Sequence, residues 1–333
     1  MQMRALILAV VVACGDSGGG GGPIAIGDYA AAVRAYTCNQ AVRCGIVDDL
    51  ITCDKLRSLQ LSGSMADPSV IAAAEAGLIA YDGNAAAECL AGLTASCDRT
   101  ALSRNTPAAC DKVFTGTVAD QGTCGISQEC IGAYCSISGV CTTQCCQGTC
   151  FGTTPPPPRP ALGESCMNNP SCIDSYCDQT TYFCVALQPA GAPCNTNDQC
   201  QIGAICTSTT CTLLSAEGGP CQTAQDCRYI GDHCGADQTC ARFALTGAMC
   251  PVGDECTPYD RCVAGVCTHG PMLGDPCGAT GQCVDASYCD QTTLMCTALL
   301  ADGAGCMYSQ QCKSGSCDTA TTPSTCTAIT VCY

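Results

Sequence analysis

The chain has 333 residues with 39 cysteines, no tryptophan, four phenylalanines and a formal net charge of −16. That cysteine share lies above the roughly 8–10% that marks a disulfide scaffold, so small stapled modules are expected in place of one large apolar core. A surface this acidic repels nucleic-acid phosphates and anionic lipid surfaces, which makes both poor partner candidates.

Residues 1–13 read as a secretory signal: Arg4, then the apolar run Ala5 to Ala13, then a break. As a helix, nine apolar residues reach only about 14 Å, half of the roughly 30 Å of bilayer hydrocarbon, so the run is too short to span. Next comes Gly15-Asp16-Ser17-Gly18-Gly19. These letters spell the nucleophile signature of chymotrypsin-like serine proteases and satisfy the G-x-S-x-G elbow of α/β-hydrolases. An elbow needs a helix directly after the serine, however, and the glycines from Gly18 to Gly22 cannot form one. A triad also needs a carboxylate-held histidine, and the two histidines, His233 and His269, both sit in cysteine-dense sequence. Catalysis by Ser17 is rejected, and the chain is read as a non-enzyme without cofactors or metal.

Cys14 carries the more informative signal. Val11-Val12-Ala13-Cys14 resembles the lipobox of bacterial lipoproteins, with Val11 where the family usually has leucine. The resemblance implies a diacylglyceryl group on the Cys14 thiol, acylation of the new amino end, and a membrane partner reached through that anchor. The expected location is the bacterial cell envelope, at the outer membrane or cell surface. Residues 14–26 then form a lipidated cysteine and a glycine-rich tether, with a reach of roughly 20 Å.

Residues 27–118 read as a helical domain. Asp28 is the expected N-cap of a helix over Tyr29 to Cys44, with Gly45 at its stop. A second helix fits Asp48 to Leu61, and Asp67-Pro68 marks the start of a third. The last begins near Asp82 or Asn84 and places Cys89, Leu93 and Cys97 on one stripe. Cys38, Cys44, Cys53, Cys89, Cys97 and Cys110 are structural, and fifteen pairings stay open. Cys97 with Cys110 is favoured, because that loop closes without crossing a helix.

From residue 119 the chain repeats. Seven units of four cysteines follow, starting with unit one at Cys124, Cys130, Cys135 and Cys141. Unit two has Cys166, Cys172, Cys177 and Cys184, and unit three Cys194, Cys200, Cys206 and Cys211. Unit four has Cys221, Cys227, Cys234 and Cys240, and unit five Cys250, Cys256, Cys262 and Cys267. Unit six has Cys277, Cys283, Cys289 and Cys296, and unit seven Cys306, Cys312, Cys317 and Cys326. A glycine usually stands two or three residues before the opening cysteine, as in Gly191-Ala192-Pro193-Cys194. A unit of about 28 residues is below the size that folds without staples. Pairing first with third and second with fourth interlocks its halves and is favoured over two separate loops. Glycine and Asx between the cysteines suit short β-hairpins in otherwise irregular modules.

This spacing resembles the Dickkopf N-terminal cysteine-rich region and EB-module repeats, and bacterial cysteine-rich lipoproteins share the helical-then-repeat layout. The resemblance covers residues 119–333 and implies tandem extracellular disulfide modules. Residues 119–152 form a first unit with extra cysteines (Cys145, Cys146 and Cys150), 153–163 a proline-rich linker, and 164–333 six tandem repeats. Cys332 has no place in its unit. Setting Cys14 apart leaves 38 of the 39 cysteines, an even number that permits complete pairing. Metal or thiol-redox chemistry is the alternative, but neither C-x-C nor C-x-x-C occurs. The expected fold is multi-domain, with a small disulfide-braced helical domain followed by a rod of disulfide modules. The expected function is extracytoplasmic recognition, adhesion or envelope scaffolding, with Tyr134, Tyr176 and Tyr288 as contact candidates.

Overall fold

The computed structural model describes residues 22–56, 67–93, 96–102, 106–137, 147–250, 255–278, 282–320 and 322–328. The signal segment, Ser17, Cys14, Cys141, Cys145, Cys146 and Cys332 lie outside the described residues.

Helix α1 covers Ile26–Arg43 and starts two residues before the expected cap. Asp28 sits within its first turn, where a negative charge favours the helix dipole, and Ala25 is the N-cap. Ile24, read as tether, is already tied down: its amide donates to the Gly83 carbonyl (3.0 Å) and its carbonyl accepts from the Tyr81 hydroxyl (3.0 Å). Helix α2, Leu50–Lys55, is capped by Asp49, which accepts from the Thr52 amide at 2.7 Å. It stops at Lys55, short of the expected Leu61, because Leu56 is already extended and bridges to Asp285 in unit six. Helix α3, Pro68–Glu75, starts where Asp67-Pro68 marks it, with Asp67 accepting from the Ser69 amide at 2.8 Å.

Strand β1, Ile79–Tyr81, has no counterpart in the helical reading and pairs antiparallel with β2, Phe114–Gly116. Asp82 caps helix α4, Gly83–Gly92, through the Asn84 and Ala85 amides. This helix ends before Cys97, so the expected three-residue stripe is not formed; a short helix α5, Arg99–Leu102, follows. Tyr29, Tyr81 and Phe114 meet edge-on or tilted, with ring centroids 5.3–5.7 Å apart. Together with Val33, Ala85, Ala86, Cys89 and Val113 they bury the main apolar core of this region.

The repeats form small antiparallel sheets, one per unit, each two-stranded except the three-stranded sheet of unit one. In units two to seven the third and fourth cysteines face each other across the hairpin, for example Cys206 opposite Cys211 and Cys289 opposite Cys296, and in unit one Cys150 faces Cys135. Two backbone bonds recur beside them. The residue three before the opening cysteine donates its amide to the carbonyl of the last cysteine in the sheet at 2.7–2.9 Å, as Gly191 does to Cys211 and Gly303 to Cys326. The residue after the second cysteine donates to the carbonyl six positions before the first, as Gln201 does to Gln188 and Lys313 to Leu300.

The first of these bonds explains the glycine signal. Gly163, Gly191, Gly218, Gly247, Gly274 and Gly303 all take positive φ between 78° and 90°, where a side chain is strained. Unit one carries Gln121 at this position, also left-handed at 65°.

Units three to six do not extend from the helical region as a rod. They lean on it through the loop between their second and third cysteines. Ile230, Tyr259 and Val284 from three such loops pack against the cluster of Cys38, Ala41, Cys44, Ile46, Val47, Cys53 and Leu56. In unit three, the Gly203 amide donates to the Thr100 hydroxyl at 2.6 Å. These loops hold five or six residues in units three to six but only four in units one, two and seven.

The proline-rich linker is also anchored. Arg159 donates to Asp111 (2.7 Å) and to the Thr106 carbonyl (2.7 Å), and the Pro157 carbonyl accepts from Asn169 (2.9 Å).

Candidate functional site

Among the described residues, 17 disulfides define how sulfur is used. In the helical region Cys38 pairs with Cys53, Cys44 with Cys97, and Cys89 with Cys110. The favoured Cys97–Cys110 pairing is therefore wrong. With α4 ending at Gly92, Cys97 leaves the helix face and turns to the end of α1, which puts Cys110 beside Cys89.

Units two to seven pair first with third and second with fourth. Unit one follows the same logic with a substitution. Cys124 bonds Cys135, but Cys130 bonds Cys150, so Cys150 takes the place given to Cys141. The cause is the sheet: Gly148–Cys150 is the strand that pairs with Cys135–Ser136, which sets Cys150 opposite Cys135. Sulfurs of Cys194, Cys200 and Cys211 come within 4.8 Å of one another, and similar triplets recur in other units. Such crowding follows from two stacked disulfides, and a sulfur in an S–S bond is not the thiolate that a metal site needs.

A cleft of about 830 Å³ opens between units two and three. Pro170, Tyr176, Leu187 and Ile202 give it apolar walls, while Asp174, Asp178 and Asp198 bring carboxylates. Its volume falls in the range of small-ligand and peptide pockets. Tyr176 is held at the wall by Gln188, whose Nε2 donates to the phenol oxygen at 3.1 Å. Bonds from the Thr180 backbone and the Thr181 hydroxyl keep the Asp178 carboxyl below the usual carboxylate range. Arg159 also lines the cleft, but its guanidinium is committed to Asp111.

The other two tyrosines behave differently. Tyr134 is 58% exposed and tilts against Phe151 at 6.2 Å, whereas Tyr288 pairs with Thr297 across its hairpin and is half-buried. His233 is buried and stacks on Phe243 at 5.1 Å. His269 is held by a carboxylate, with Nδ1 2.9 Å from Asp260. The Thr246 hydroxyl lies 3.3 Å from that same Nδ1 and donates to Asp260. A catalytic relay needs hydroxyl and carboxylate on opposite ring nitrogens, so this trio lacks the arrangement.

A polar constellation lies where unit four meets the helical region. The Arg228 guanidinium donates to Asp98 at 2.6 Å, and the Thr100 hydroxyl donates to the same carboxyl at 2.7 Å. Burial pushes the Asp98 carboxyl up, but the bonds from Arg228 and Thr100 outweigh it and hold the group below the ordinary range. Strand pairing continues across the boundary: the Arg99 amide donates to the Arg228 carbonyl (2.9 Å), and the Ile230 amide to the Cys97 carbonyl (3.0 Å). A Cβ on Gly231 would lie 1.7 Å from the Cys44 carbonyl oxygen, which also accepts from Arg242 at 3.1 Å. This contact was missed in the sequence reading, although the longer loops of units three to six carry its trace.

No known protein family model matches the sequence, and neither curated proteins nor solved structures show significant similarity to it.

Proposed function

We propose that this chain is a lipid-anchored extracytoplasmic protein that works by recognition, adhesion or scaffolding through its disulfide-rich repeats, and not by catalysis. The observation that carries this reading is the disulfide network itself. Bonds of this number persist in oxidising compartments, which fits export from the cytoplasm. Among the described residues no helix is long and apolar enough to cross a membrane, so membrane attachment in this reading comes from lipid on Cys14.

The repeats have the surface a binding role asks for. Met167, Met249 and Met307 beside opening cysteines are 66–75% exposed, and Phe183 and Tyr308 stand out nearby. The cleft beside Tyr176 is the natural ligand seat on this surface, and a Dickkopf-like or EB-type kinship of the repeats belongs to the same reading. A bacterial outer-membrane or cell-surface location belongs to the same proposal.

Mass spectrometry of the mature amino terminus tests the anchor. A chain beginning at acylated Cys14 is the expected result, and an unmodified terminus overturns it. Thiol titration of denatured, unreduced protein is expected to find almost no free cysteine, whereas a high count would favour the metal or redox alternative.

A further inference from the structure

Every disulfide among the described residues lies within the helical region or within a single unit. None crosses the seam between helices and repeats. Among the described residues the seam is therefore held by hydrogen bonds, ion pairs and a modest apolar contact, and none of their disulfides has to break for it to open. Asp232 lies at this boundary, next to Gly231, which abuts the Cys44 carbonyl, and opposite Arg242, which donates to that carbonyl; its charge is poorly served. The Asp232 side chain is fully buried, and neither carboxylate oxygen has a hydrogen-bond partner. Its nearest cation is Arg242, with Nε 3.4 Å away and also 3.9 Å from Glu217. A buried charge without hydrogen bonds is costly, whereas the well-bonded Asp98 across the seam is the opposite case.

We infer that the seam between unit four and the helical region is a reversible, proton-controlled latch, closed most firmly in mildly acidic conditions, from which the stapled modules undock without unfolding. The groups facing Asp232 are Arg242 on the paired strand, Glu217 before the unit, His233 beside it and Arg99 on α5. Those facing Asp98 are Arg228 and Thr100. The signs run in opposite directions. Burial, opposed by Arg242 and reinforced by Glu217, raises the Asp232 carboxyl above its ordinary value, so the docked state favours the proton. Docking therefore strengthens as pH falls through that raised value toward the usual carboxylate value of about 3.9. The Asp98 carboxyl is lowered, so its contribution is present above about 3.9 and is lost as pH falls through its own lowered value.

Hydrogen exchange of the full-length mature protein across a pH series, corrected for intrinsic rates, tests the latch. The Arg99 and Ile230 amides donate across this boundary, while those of Gly218 and Cys240 donate within unit four. Seam protection is expected to rise and then fall as pH is lowered, with protection inside the unit unchanged. D232N is expected to raise seam protection at neutral pH above wild type and to flatten that arm of the profile. D98N is expected to lower seam protection by on the order of tenfold or more, the effect of losing a charge-assisted bond. A flat wild-type profile, or seam and intra-unit amides losing protection together at every pH, would overturn the proposal.

Discussion

The helical region and the repeats use the same residue, cysteine, in two ways. In the helical region a disulfide joins elements far apart in sequence, Cys44 to Cys97 across 53 positions, and lies within a core that also holds Ile46, Val47 and Leu56. In the repeats the separations are 11 to 20, and the buried cluster of a unit is little more than its four cysteines. Apolar area shapes the first region and the staples finish it. Covalent closure makes the second, because a unit of this length cannot bury enough surface to offset its chain entropy. The difference teaches where each region is vulnerable: a lost staple damages the helical region globally and a repeat only locally.

The largest test of that contrast removes the long staple. The pair Cys44→Ser and Cys97→Ser is expected to cost about 4 kcal/mol, the entropic value for a loop of that length. Urea unfolding reads the loss, and the seam should loosen with it, because the Cys44 and Cys97 carbonyls accept from Arg242 and Ile230. Removing a short staple, Cys312→Ser with Cys326→Ser, is expected to cost about 3 kcal/mol. Here the damage should stay in unit seven: limited proteolysis would nick that unit and leave the remainder resistant. Loss of protection in units three to six would contradict module autonomy.

Two glycine substitutions sharpen the comparison at smaller scale. Gly231→Ala forces a methyl into the Cys44 carbonyl and is expected to cost about 2 kcal/mol, seen as faster exchange of the Ile230 amide. Gly191→Ala meets nothing within 4 Å, so its cost is the left-handed backbone alone, about 1 kcal/mol. A melting temperature unchanged by Gly191→Ala would mean that the turn is not under this constraint.

Much of the repeat architecture was legible before any coordinates. The four-cysteine period, the interlocked pairing and the glycine before each opening cysteine all reappear, since each depends on contacts within about 30 residues. So does the Asp67-Pro68 cap, which depends on three adjacent residues. A polar residue just before the second cysteine was legible but passed over. Glu129, Gln199, Asp226 and Gln311 each cap the turn after the first cysteine, as Gln199 does for the Asn195 amide at 2.5 Å. The errors cluster where partners are distant. Cys97 was placed on a helix that ends five residues earlier, and Cys141 was preferred to Cys150 because counting cysteines does not show which strand closes a sheet.

By itself the order of residues decided the module: its length, the staples of units two to seven and the left-handed turn that those six units fill with glycine, because all of these arise from short loops closing on themselves. Only the tertiary structure decided that units three to six rest on the helical region through the loop between their second and third cysteines. That outcome depends on Ile230, Tyr259 and Val284 meeting a surface built from residues some 200 positions earlier in the chain, and on a glycine at 231 that lets two backbones touch. No local pattern encodes such a meeting, since each partner looks like an ordinary loop residue until the other is in place.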